Sequence, residues 1–166
     1  GYGSSCFPKD TWALIAFAKQ KGYDFKFLKE VDQVNNDQVD YLIDKIKAGL
    51  GTLKGKTLTI LGLAFKPNTD DLREARSTAL ISKLRQAGVH IQSFDPVIKG
   101  KFADSYQAMI NSDGLVLVTE WQEFLDLNWV KVKRLMRRAN VFDGRNFFDP
   151  KKLKKLGFKY WGIGRS

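Results

Sequence analysis

One cysteine and one histidine stand among the 166 residues. A lone cysteine closes no internal disulfide, and without Cys/His clustering there is no zinc-type ligand set, so neither a disulfide scaffold nor a metal centre is expected. No apolar run approaches the roughly 20 residues of a membrane-crossing helix, and no secretory leader pattern is visible. A chain with no membrane partner, in a reducing, cytoplasmic compartment, is the simplest expectation. RRM, KH and zinc-knuckle patterns are also missing, so the net charge of +10 points to anionic ligands and not to nucleic acid. Its densest basic runs, 131–138 and 151–155, read as solvated helix faces. The Gly-x-Gly-x-x-Gly fingerprint is lacking too, which excludes a standard dinucleotide cradle.

What is present suits a folded domain. Hydrophobic residues make up 43% of the chain, with 12 Phe, ample for a core. Residues 11 to about 50 read as helical throughout, with Trp12, Leu14, Ile15, Phe17 and Ala18 on one apolar stripe and Val39, Leu42, Ile43 and Ile46 on another. Gly22 and Gly49 are natural stops. From Lys56 onward strands alternate with helices. Strands are expected at 57–65, 89–94, 115–119, 140–142 and 160–163, and helices at 78–87, 105–111, 129–138 and 150–156. This spacing predicts an α/β fold, a Rossmann-like parallel sheet with helices on both faces, preceded by a helical segment. The organisation expected is 1–50 as the helical segment and 51–166 as the sheet domain.

Ligands of such sheets bind where loops leave the carboxyl ends of the strands. Gly62-Leu-Ala-Phe-Lys-Pro-Asn-Thr-Asp-Asp-Leu-Arg-Glu is one such loop. Lys66 in it reads either as a phosphate-pairing point charge or as a solvated loop lysine. Asp70 and Asp71 read as helix-capping and first-turn acids, while Arg73 and Arg76 stand open between ion pairs and anion contacts. Asp95-Pro96 reads equally as a ribose holder or as turn chemistry. Asp143-Gly-Arg-Asn presents Arg145 at a strand end, suited to a bidentate anion contact. His90 falls inside a strand and reads as structural.

Cys6 lies in Gly-Tyr-Gly-Ser-Ser-Cys-Phe-Pro-Lys-Asp, between a glycine-rich loop and a helix start marked by Pro8 and Asp10. A helix N-terminus and the neighbouring Lys9 favour a thiolate, the nucleophilic form. Asp10 is placed to orient water or take a proton.

These segments, with Thr119-Glu-Trp-Gln-Glu-Phe and Tyr160-Trp-Gly-Ile-Gly-Arg, occur in order across the chain. Together they resemble the nucleotide-sugar dehydrogenases, and among them the branch that oxidises UDP-glucose. The resemblance implies a two-step oxidation of a sugar C6 alcohol to a carboxylate with two NAD. Cys6 would capture the aldehyde as a thiohemiacetal that becomes a thioester, and Asp10 would assist the acid–base and water steps. It places the UDP-sugar against Gly1, Tyr2, Gly3, Phe65, Lys66 and Arg145, and the nicotinamide side against Ser5, Cys6, Phe7, Pro8 and Arg73. Ser4 departs from the family, where glycine is common. The resemblance also implies that NAD is bound mainly by an N-terminal domain that this chain lacks. Residues 1–50 then represent part of a central helical domain that forms a homodimer. The chain alone is expected not to turn over. GDP-mannose or UDP-N-acetylhexosamine as substrate, or a non-catalytic nucleotide-sugar-binding module, are the alternatives.

Overall fold

The structure is a computed structural model and describes residues 1–165. Two helices come first, α1 (Phe7–Gln20) and α2 (Lys26–Leu50). They are separate because Gly22 takes a φ of 77°, and the Tyr23 N–H reaches back to the Ala18 carbonyl at 2.9 Å. That is a glycine-capped helix end, the stop expected at Gly22 within the helical stretch 11–50. The second stop is Gly51, with a φ of 74°, and not Gly49. Gly49 stays inside α2, because a Cβ there would stand 2.7 Å from two ring carbons of Phe142. Its smallness sets how closely α2 crosses the sheet.

Five strands follow: β1 (Thr57–Leu61), β2 (His90–Phe94), β3 (Gly114–Leu117), β4 (Asn140–Asp143) and β5 (Lys159–Gly162). Between them lie α3 (Arg76–Gln86), α4 (Ser105–Met109), α5 (Trp129–Leu135) and α6 (Pro150–Lys155). The sheet is parallel throughout, in the order β2-β1-β3-β4-β5. The chain leaves β1 in one direction and returns to β3 on its other side, so a crevice opens at the carboxyl ends of β1 and β3.

Side chains alternate across the sheet with a period of two. Leu58, Ile60, Val116 and Phe142 meet α2 and α3 through Val39, Leu42, Ile46, Leu80 and Leu84. Leu61, Leu115, Leu117, Val141 and Tyr160 face the other layer, built on Met109, Trp129, Val132 and Leu153. The second half of α2 is thus one of the layers that cover the sheet. In contrast, Trp12, Leu14 and Phe17 of the expected α1 stripe are exposed and only Ala18 is buried.

The first basic run is only partly a solvated face. Arg137 donates to the buried Asp113 at 3.1 Å, and Arg138 lies 3.8 Å from the same carboxylate. Lys133 donates to the Leu156 carbonyl at 2.7 Å, tying α5 to the end of α6.

Candidate functional site

The first six residues are fastened to both neighbouring elements. The buried Asn35 of α2 accepts from Tyr2 N at 2.5 Å and donates to Tyr2 O at 3.2 Å. Ser4 N donates to Arg73 O at 3.1 Å. Gly3 lies against the Glu74 carbonyl so closely that a Cβ would collide with it. Ser4 itself takes a φ of 83°, the region glycine suits, which gives the physical reason a glycine fits there.

Cys6 is the N-cap of α1 and is exposed, with its Sγ 3.8 Å from Ser5 Oγ. Pro8 is buried in the first turn, and Asp10 N closes that turn on Cys6 O at 2.9 Å. Cys6, Asp10, Phe7, Thr11, Leu14 and Leu28 line one open hollow of about 450 Å³. The Asp10 carboxylate is paired with Lys9.

The loop after β1 is shaped from beneath. Gly62 has a φ of 85°, and a Cβ there would lie 2.7 Å from Thr119 N and 2.8 Å from its Cα. Thr119 Oγ1 donates to Ala64 O at 2.5 Å. Asp95 is buried and accepts five hydrogen bonds. Leu63 N, Ala64 N and the Trp121 indole reach its Oδ2 at 2.7, 3.2 and 3.2 Å, and Val97 N and Ile98 N reach its Oδ1 at 3.0 and 3.1 Å. No room remains for a ribose, so the turn reading of Asp95 is the correct one. The same bonds occupy the Leu63 and Ala64 amides at the turn after β1. On the cysteine loop and the segment it is bonded to, Phe7 and Arg73 are exposed.

Lys66 is exposed and stands 5.4 Å from the Phe65 ring centre. Asp71 does not cap a helix, because α3 begins only at Arg76. It accepts instead from Arg73 N at 2.8 Å and from the Arg73 fork at 3.0 and 2.8 Å. That fork holds the Asp71 carboxyl below the ordinary aspartate range, and the Arg73 guanidinium is raised by the same hydrogen bond.

Arg145 is set by the loop after β4. The fully buried Asp143 accepts from Arg145 N at 3.0 Å, Phe148 N at 2.8 Å and the Tyr160 hydroxyl at 3.0 Å. Burial first, then the Asp143 charge and hydrogen bond, push the Tyr160 phenol far up, so it remains a donor. Asn146, with a φ of 55°, exchanges two hydrogen bonds with the Ile163 backbone at 2.8 and 3.0 Å. Held this way, Arg145 faces a cleft of about 310 Å³ at the carboxyl ends of β3 and β4. Leu42, Val118 and Ile163 line it as apolar wall, with Gly1, Arg76 and Glu120 also on it.

Glu120 fills the Arg145 fork, with Nε at 2.6 Å and Nη2 at 2.8 Å. Burial raises the Glu120 carboxyl, but the Arg145 hydrogen bond, a backbone N–H and the Arg145 charge outweigh it. The group therefore titrates below the ordinary glutamate range, and the pair is intact at neutral pH. Of the residues expected to hold substrate, Gly1 and Arg145 meet at this cleft. Tyr2 and Gly3 follow Gly1 on the seam, and Phe65 and Lys66 lie outside the cleft wall. Arg76, open in the sequence between ion pairs and anion contacts, lies on the cleft wall. Glu120 and Asn35 were not foreseen, and of these two only Glu120 carried a signal, its place just beyond a strand end.

This arrangement can be set beside known proteins. Residues 59–150 match the UDP binding domain of the UDP-glucose/GDP-mannose dehydrogenase family, and residues 1–37 match that family's central domain. The chain belongs to this family. It is 40% identical over 176 residues to the UDP-glucose 6-dehydrogenase TuaD of Bacillus subtilis, covering 99% of this chain and 38% of that protein. It is 42% identical over 182 residues to a UDP-glucose 6-dehydrogenase of Pseudomonas aeruginosa, covering 99% and 40%. A solved UDP-glucose dehydrogenase from Pyrobaculum islandicum superposes with a TM-score of 0.84 at 30% identity, over 100% of this chain and 38% of the other. A UDP-D-ManNAc dehydrogenase from Pyrococcus horikoshii does so at 0.90 with 27% identity, over 99% and 39%. The chain thus spans about 40% of the length of these UDP-glucose/GDP-mannose dehydrogenase relatives. Among the described residues, no helix is long and apolar enough to cross a membrane.

Proposed function

We propose that this chain is the substrate-holding and thiol-bearing portion of an NAD-dependent UDP-glucose 6-dehydrogenase. Residues 1–50 supply the cysteine loop on a helical segment, and residues 51–166 supply the UDP-sugar-binding half. The observation that carries this reading is the seam between them. Ser4 is bonded to Arg73, Gly3 lies on Glu74, and Gly1 forms part of the wall of the Arg145 cleft. Cys6 therefore lies no more than about 17 Å of extended chain from that cleft, a distance an extended nucleotide sugar can span.

In this reading the diphosphate takes the Arg145 fork in exchange for Glu120, and the exposed Lys66 beside Phe65, outside the cleft wall, adds a point charge from the β1 loop. Gly1, Tyr2 and Gly3 present their backbone to the sugar. The Cys6 sulfur adds to the carbonyl carbon of the bound aldehyde and holds it, first as a thiohemiacetal and then as a thioester, until water releases the carboxylate. Asp10, on the same hollow, takes and returns the proton of that water. NAD, when bound, supplies the hydride acceptor, and the exposed Phe7 and Arg73 with Ser5 would face it, while Pro8, buried in the first turn, would hold the loop from behind. Trp12, Leu14 and Phe17 of α1, with Phe27 and Val34 of α2, are exposed. The reading has this apolar surface join the helical segment to a second copy in a homodimer.

Calorimetric titration of UDP into the full chain tests the cleft. Arg145→Ala is expected to weaken binding by about tenfold or more, the worth of a lost charge-assisted fork, and Lys66→Ala by about threefold. Affinity unchanged by both substitutions would remove the proposed site.

A further inference from the structure

Arg73, Arg76 and Arg145 stand at this end of the sheet, and two of these three use the same edge. Arg73 gives Nε and Nη2 to Asp71, and Arg145 gives Nε and Nη2 to Glu120. Arg76 differs. Its Nη1 donates to Asn36 Oδ1 at 3.0 Å, which fixes the plane of the group. Its Nε is buried with no hydrogen-bond partner, and its Nη2 lies 4.0 Å from Glu74 Oε2, beyond hydrogen-bond distance. The Arg76 side chain is only 17% exposed, and it lines the same cleft as Arg145 and Glu120. A buried donor without an acceptor costs free energy that a ligand oxygen recovers.

We propose that Arg76 is a second anion-holding residue of this cleft, whose open Nε/Nη2 edge takes phosphoryl oxygens of a nucleoside diphosphate while Arg145 holds others. The inference rests on the cleft being the nucleotide-sugar site. Two features favour a diphosphate. The side-on edge of a guanidinium matches a pair of oxygens on one phosphorus. Two such edges on one cleft match a ligand with two phosphoryl groups, each accepting from its own arginine. Asn36 has the positioning part: by holding Nη1 it keeps the free edge turned away from α2.

The test is a set of titrations on the full chain, with UDP and uridine as probes. Arg76→Ala is expected to raise the UDP dissociation constant about tenfold and to leave uridine within about twofold. Arg76→Lys keeps the charge and loses the fork, so it should recover only part of that loss. Asn36→Ala should weaken UDP by a smaller factor. A purely structural Arg76 would weaken uridine and UDP alike, and that result overturns the proposal. So does UDP affinity unchanged in Arg76→Ala while Arg145→Ala weakens it, which leaves the cleft reading standing. If neither arginine matters, or UDP does not bind the wild-type chain, the cleft reading fails as well. Should Arg76→Ala not fold, Arg76→Lys read with both probes decides the matter: equal UDP affinity for lysine and arginine overturns it.

Discussion

Replacing Cys6 by alanine in the full-length protein is expected to lower turnover of UDP-glucose by about a thousandfold or more, the range in which covalent catalysis is lost with its nucleophile. The sulfur is exposed at the N-cap of α1 and shares its hollow with Asp10. It lies outside the Arg145 cleft, among whose lining residues Cys6 is absent. UDP-glucose binding should therefore stay within about threefold of wild type, since the phosphate contacts that dominate it are untouched. Steady-state NADH formation and equilibrium binding, measured on the same two proteins, separate the effects. Turnover within tenfold of wild type would remove the thiol from the chemistry. Affinity falling in step with turnover would make Cys6 part of the binding surface instead.

Asp95→Ala is expected to destabilise the fold by about 4 kcal/mol, because five donors lose their acceptor and each buried orphan costs about 1 kcal/mol or more. Three of the five belong to the β1 loop and to Trp121, and two to the turn that Asp95 itself opens. Asparagine is no remedy. Whichever way its amide turns, an NH₂ faces donors, so Asp95→Asn should still cost about 2 kcal/mol. A second consequence is local. Leu63 and Ala64 lead into Phe65 and Lys66, so the substitution should also loosen the loop carrying them. Urea unfolding of both variants beside Asp104→Ala, which removes only the α4 N-cap, checks the sizes. A cost for Asp95→Ala no larger than that of Asp104→Ala would contradict this account of the loop.

Much of the sheet was legible because its strands are short apolar runs closed by Gly, Asp-Pro or Asp-Gly, and these features are local. The same logic found Arg145, since Asp143-Gly-Arg-Asn follows a strand and Asp143 builds the turn from within. Gly49 misled because a helical glycine reads as a stop. Its actual reason, the Phe142 ring beneath it, lies 93 residues away in the chain. Glu120 was obscured, and Arg76 left open between two readings, for a related reason. A charged residue near a helix start or after a strand acquires its meaning only when the fold sets another charge opposite it, as Arg145 stands opposite Glu120. The basic run at 131–138 shows the reverse. Asp113, buried at the foot of β3, draws Arg137 and Arg138 inward, and no periodicity within α5 announces that partner.

The central claim is that the cysteine loop and the Arg145 turn serve one ligand. Amide chemical-shift mapping of the full chain during a UDP-glucose titration tests it most directly. The account predicts that Gly3 and Ser4 shift together with Gly144, Arg145 and Asn146, all along one saturation curve. Shifts confined to one of the two loops, or centred on Lys151, Lys152 and Lys155 of α6, would contradict it.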